Sequence, residues 1–115
     1  MEITGIIAEY NPFHNGHLYQ INKIKEQGDS LIIAVISGSF TQRGEAAIFD
    51  KWQRAKCAVE SGCDIVLELP FSFACRSAQD FARGGVTLLN RLGIVNQLAF
   101  GAEFHAYRHP WLKLL

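Results

Sequence analysis

The chain has 115 residues, 49% hydrophobic and 19% charged, which is enough apolar material for one domain with a real core. Eleven basic and eleven acidic residues cancel to a formal net charge of +0, which excludes a global field that would gather nucleic acid without specificity. Three cysteines, Cys57, Cys63 and Cys75, form no Cys-x-x-Cys pair and fit reduced, core-filling thiols better than a disulfide framework.

The first residues, MEITGIIAEYNPF, carry Glu2 where a secretion signal would be basic, and the apolar run is too short to cross a membrane. A soluble, cytoplasmic protein is expected. Four apolar, largely unalternating runs read as strands covered on both faces: Ile3 to Glu9, Leu31 to Ser37, Asp64 to Pro70 and Asn96 to Gly101. Between them lie three helical spacings, Leu18, Ile21 and Ile24; then Trp52, Ala55 and Val59; then Phe81, Leu88, Leu89 and Leu92. The punctuation agrees. Asn15 can cap the first helix and Gly28 end it, Asp50 opens a capping-box pattern closed at Gly62, and Ser77 opens another closed at Gly93. Strands and helices in strict alternation imply right-handed crossovers and an α/β, doubly wound, Rossmann-like parallel sheet.

Ligands of such sheets bind outside the carboxyl ends of the strands, at the switch point where strand order reverses. The stretch YNPFHNGHLY falls there. Gly16 and His17 would lie in the first turn of the first helix, where unpaired amides and the positive end of the helix dipole favour an anion. Pro12 stiffens the loop, Gly16 admits close approach, and His14 and His17 can offer imidazole N–H donors to phosphate oxygens. The same pair could instead cap the helix or bind a metal.

Other polar residues stand near that edge. The segment SGSFTQRGEAAIFDK follows the second strand, with Gln42, Arg43 and Lys51 available to phosphate, acetate or RNA, Arg43 being the stronger candidate. Glu68, at a strand end, calls for a partner, most simply a structural salt bridge. His105 and His109 are four apart, as on one helix face, but Pro110 follows and a third ligand is missing, so the sequence yields no metal site.

His-x-Gly-His behind a first strand resembles the nucleotidylyltransferase superfamily. More specifically, GIIAEYNPFHNGHLY, SGSFTQRGEAAIFDKWQRA, DIVLELPFSFACRSAQDFARGGVTLLNRLG and LAFGAE together resemble the amino-terminal part of the tRNA(Met) cytidine acetate ligase family. The resemblance implies an ATP-dependent enzyme: acetate attacks the α-phosphorus of ATP, and the acetyl group passes to the wobble cytidine of elongator tRNA(Met) as N4-acetylcytidine. It implies His14 and His17 as the catalytic pair. It implies ATP contacts from Ile7, Ala8, Glu9, Tyr10, Asn11, Pro12, Phe13, His14, Asn15, Gly16, His17, Leu18, Tyr19 and Gln20, with Gly101 as a second element beside adenine or ribose. Mg²⁺ is expected to arrive with the ATP.

Residues 1–103 are expected to form the ATP-binding domain. Residues 104–115, FHAYRHPWLKLL, leave the family pattern and form a divergent, apolar tail, so that the domain reads as incomplete, weak or inactive alone, and open to self-association. Two other readings stay open on the sequence: a different adenylyltransferase of cofactor metabolism, and a nucleotide-binding module without catalysis.

Overall fold

The computed structural model describes residues 1–38, 46–70, 78–100 and 105–107. Their elements follow the expected alternation: β1 (Glu2–Ala8), α1 (Asn15–Glu26), β2 (Ser30–Ser37), α2 (Lys51–Glu60), β3 (Ile65–Leu69), α3 (Ala78–Arg91), β4 (Gln97–Phe100) and β5 (His105–Tyr107). The sheet order is β3-β2-β1-β4-β5. β1 to β4 are mutually parallel where they pair, and β5 adds an antiparallel edge on β4.

The unalternating strand sequences are explained by cover on both faces. Ile32, Ala34 and Ile36 of β2 pack with Ile21 and Ile24 of α1 and Ala58 of α2, while Ile33 and Val35 pack with Phe81 and Leu89 of α3. The chain therefore moves outward from β1 through α1 and α2 on one face, then returns by α3 on the other to place β4 at β1's free side. That reversal puts the switch point at the carboxyl end of β1. Close approach of α3 to β1 depends on small residues: a Cβ at Gly85 would come within 2.7 Å of Ile7, and one at Gly5 within 2.6 Å of Leu89.

Several local expectations need correction. The N-cap of α1 is His14, not Asn15, because the His14 imidazole reaches the Gly16 amide from an extended backbone. Asp50 does cap α2, accepting from the Gln53 amide at 2.7 Å, and Gly28 and Gly62 follow their helices at φ +135° and +126°. Gly93 closes α3 by donating to Asn90, whereas Ser77 lies outside the described residues. Of the predicted inward face of α2 only Ala55 packs on the core, half-buried. Trp52 is 76% exposed and Val59 50%, while Arg54 and Ala58 are buried, since small Ala58 admits the helix to the sheet and Arg54 finds acceptors at the strand ends. Leu92, just beyond α3, is also exposed.

Cys63 is buried, but Cys57 is exposed rather than core-filling; Cys75 is outside the described residues. His105 lies on a strand, so the helical spacing proposed for His105 and His109 does not exist there; His109 is outside the described residues, as is most of the 104–115 tail with its expected self-association. No helix among the described residues is long and apolar enough to cross a membrane.

Candidate functional site

The turn after β1 is assembled from its own aromatic residues. Tyr10, at φ +53° and 1% exposed, reverses the chain and sends its ring into the core. Asn11 then accepts through Oδ1 from the Ile48 and Phe49 amides at 2.8 and 3.4 Å, tying the turn to the segment that leads into α2. Phe13 and His17 meet the Tyr10 ring edge to face at centroid distances of 4.8 and 4.7 Å. His14 stacks on His17 at 3.7 Å, with 21° between the rings.

Both imidazoles are fixed by the start of the helix. His14 Nδ1 accepts from the Gly16 amide at 3.0 Å, and the His14 amide donates to His17 Nδ1 at 3.1 Å, a capping box built from two histidines. The His17 and Leu18 amides share the His14 carbonyl. The amides expected to stand free for an anion are thus largely engaged within the cap. With each Nδ1 accepting, the proton of a neutral ring sits on Nε2, so each ring keeps one N–H to donate. Burial, and next the neighbouring His14, lowers the His17 pKa from 6.5 to about 4. His17 is a neutral donor at pH 7.

A cleft of about 450 Å³ opens beside the pair. It is lined by Ile7, Ala8, Glu9, Tyr10, Asn11, Pro12, His14, His17 and Gln20 from the predicted stretch, and by Phe81 of α3. Phe13 instead faces a smaller apolar cavity of about 130 Å³ with Phe49 and Cys57, and Tyr19 is 58% exposed beneath Lys23, whose Nζ is 5.4 Å from its ring centre. Asn15, Gly16 and Leu18 build the helix start and do not line the cleft. Gly101, Gln42 and Arg43 lie outside the described residues.

Glu68 has the partner its position calls for. Lys51 Nζ is 2.7 Å from its Oε1. No group of three or more His, Cys, Asp or Glu side chains suited to a metal ion occurs among the described residues.

Two site residues escape sequence reading. Phe81 was legible only as a core position of α3. Arg54, 1% exposed, donates from Nε to the Phe49 carbonyl at 2.9 Å, from Nη1 to the carbonyls of Glu9 at 2.7 Å and Ser37 at 3.0 Å, and from Nη2 to the Gly38 carbonyl. A lone arginine opposite the predicted apolar face was the available signal.

The profile of the HIGH Nucleotidyl Transferase family matches residues 1–109. The chain belongs to this family. Among curated proteins it is 59% identical over 104 residues to the tRNA(Met) cytidine acetate ligase of Syntrophomonas wolfei, covering 90% of this chain and 25% of that protein. It is 57% identical to the Clostridium tetani protein of the same name, covering 90% and 26%. The chain thus spans about a quarter of the length of the curated relatives it matches. The Thermotoga maritima TmcAL crystal structure bound with alpha-thio ATP superposes with a TM-score of 0.84 at 48% identity, over 90% of this chain and 25% of that one. A bifunctional NMN adenylyltransferase/ADP ribose pyrophosphatase from Francisella tularensis, 22% identical with a TM-score of 0.51, shares the fold. These matches establish the expected family resemblance and the α/β nucleotidyltransferase fold.

Proposed function

We propose that the chain is the ATP-binding portion of an acetate ligase that modifies tRNA(Met). The observation that supports this reading best is the stacked His14–His17 pair beside the cleft, each ring with Nδ1 engaged in the helix cap and one N–H left to donate. In the proposed reaction a carboxylate oxygen of acetate attacks the α-phosphorus of ATP, the bond from that phosphorus to the bridging oxygen breaks, and pyrophosphate leaves. The amine N4 of the wobble cytidine of elongator tRNA(Met) then attacks the acetyl carbonyl carbon, the bond to AMP breaks, and the amine loses a proton to give N4-acetylcytidine. His14 and His17 serve the first step by donating to phosphate oxygens as charge builds on them. Losing one such fixed donor costs roughly 3 kcal/mol in a preorganised site.

The cleft residues from Ile7 to Gln20 would hold the nucleotide, with Gly101 beside adenine or ribose and Arg43 toward acetate or tRNA. Mg²⁺ would be carried on the triphosphate, and a tRNA substrate places the reaction in the cytoplasm. Because three quarters of the relatives' length has no counterpart here, the expected outcome is ATP binding with weak or no acetyl transfer by the chain alone. Titration with ATP, followed by incubation with ATP, labelled acetate and tRNA(Met), tests this. A chain that binds no ATP would defeat the reading, and adenylyl transfer to a cofactor precursor instead of labelled tRNA would redirect it.

A further inference from the structure

The geometry points to Arg54 as a positioning residue for the anion site, holding the carboxyl ends of β1 and β2 and the entry to α2 in the one arrangement that sets the His14–His17 pair beside the cleft. Each carbonyl it binds marks a point where the chain leaves a regular element. Glu9 follows β1 and immediately precedes the Tyr10 reversal, Ser37 ends β2 with Gly38 beyond it, and Phe49 stands just before the cap of α2. The planar guanidinium directs its N–H groups in a fixed fork, so these carbonyls are fixed relative to one another. Asn11 closes the circuit by accepting from Ile48 and Phe49. The Tyr10–Pro12 turn is therefore clamped on both sides, by Arg54 at Glu9 and by Asn11 at the 48–49 segment. That turn carries the His14 cap and, through Tyr10, one edge of the His17 ring. Arg54 donates to four backbone carbonyls and the Ser37 hydroxyl, and the charges of Glu9, Asp50 and Glu68 act on it as well. A lysine in its place would bring three donors on one centre and could not span the same set.

The role is tied to the nucleotide reading, but its test does not depend on it. Arg54→Lys and Arg54→Gln are compared with the parent chain by NMR titration of the His17 ring and by ATP binding. The expected result is that His17 moves up from about 4 toward its ordinary 6.5 as the loosened turn admits water, and that ATP affinity of the folded variant falls about tenfold or more. A purely structural Arg54 would lower the melting temperature and leave the His17 titration and ATP affinity of the folded protein unchanged, which would overturn the proposal. Should neither variant fold, hydrogen exchange in the parent decides it. Arg54 Nε–H must open together with the amides of Ile48, Phe49 and Gly16; protection of the guanidinium while those amides open independently refutes the clamp. A parent chain that fails to bind ATP defeats the nucleotide reading alone, because the His17 titration still reports on Arg54.

Discussion

At His14 and His17 one ring nitrogen is committed to the helix and the other is spare, so the structural and chemical duties of the pair can be separated by substitution. Asparagine is as good an N-cap as any residue. His14→Asn is therefore expected to change unfolding free energy by no more than about 0.5 kcal/mol in urea titration, because the cap survives. The same change should weaken ATP binding about tenfold to a hundredfold, because the proposed donor to a charged phosphate is lost. If stability fell and affinity held, His14 would be a cap and nothing more. Tyr10 makes the opposite case. Its hydroxyl sits in the core beside Cys63 and finds no hydrogen-bond partner of ordinary geometry among the described residues, and burial drives its pKa far upward. Tyr10→Phe removes an unsatisfied polar atom while keeping the ring that braces His17. It should leave ATP binding unchanged and hold or raise stability, by up to about 1 kcal/mol, in thermal melts. The histidine pair was legible because a strand, a turn and a helix start are local patterns. Arg54 was not, because its carbonyl partners on Glu9, Ser37 and Gly38 come together only once β1, β2 and α2 are assembled.

At the scale of elements, strands were readable for the reason that makes them buried. Residues such as Ile32 to Ile36 are apolar on both faces because α1 and α2 cover one side and α3 the other. Helix faces were less readable. Helical spacing finds an apolar stripe, and in α2 two of its three members, Trp52 and Val59, lie exposed while Ala55 packs on the core beside buried Arg54 and Ala58. The capping of α1 was misplaced by one residue because imidazole is not among the usual cap side chains. Contact between α3 and β1 carries a sharper consequence. Gly85 faces Ile7, which lines the cleft, and a methyl there would stand 2.7 to 2.9 Å from three atoms of that side chain. Gly85→Ala should then cost about 1–3 kcal/mol, read by chemical denaturation, and should lower ATP affinity because Ile7 can yield only by moving at the wall of the site. Full stability with normal binding would show that α3 can lift from the sheet without disturbing the cleft.

For the molecule as a whole, the buried and half-buried titratable groups around the site bound the pH range in which the fold is most stable. His17 has its folded pKa lowered from 6.5 to about 4, so the native state disfavours its proton while the unfolded chain accepts it. Its contribution is complete above pH 6.5 and is lost as pH falls through about 4. On the alkaline side the sense reverses. Burial raises Cys63 from 9.0 to about 11 and pushes Tyr10 higher still, so the unfolded chain gives up protons that the folded chain retains. That part of the stability is present below pH 9 and declines as pH rises toward 11. The expected profile of melting temperature is a plateau between about pH 6.5 and 9 with a fall on either side. Variants assign the two flanks through their slopes rather than their heights: His17→Ala should flatten the fall between pH 6.5 and 4, and Cys63→Ala should soften the fall above pH 9. An acid flank of equal slope in parent and His17→Ala would mean that the His17 ring is solvated in the native state. The stack against His14 would then not hold a neutral donor at the cleft, and the imidazole pair would lose the preorganisation on which the proposed chemistry rests.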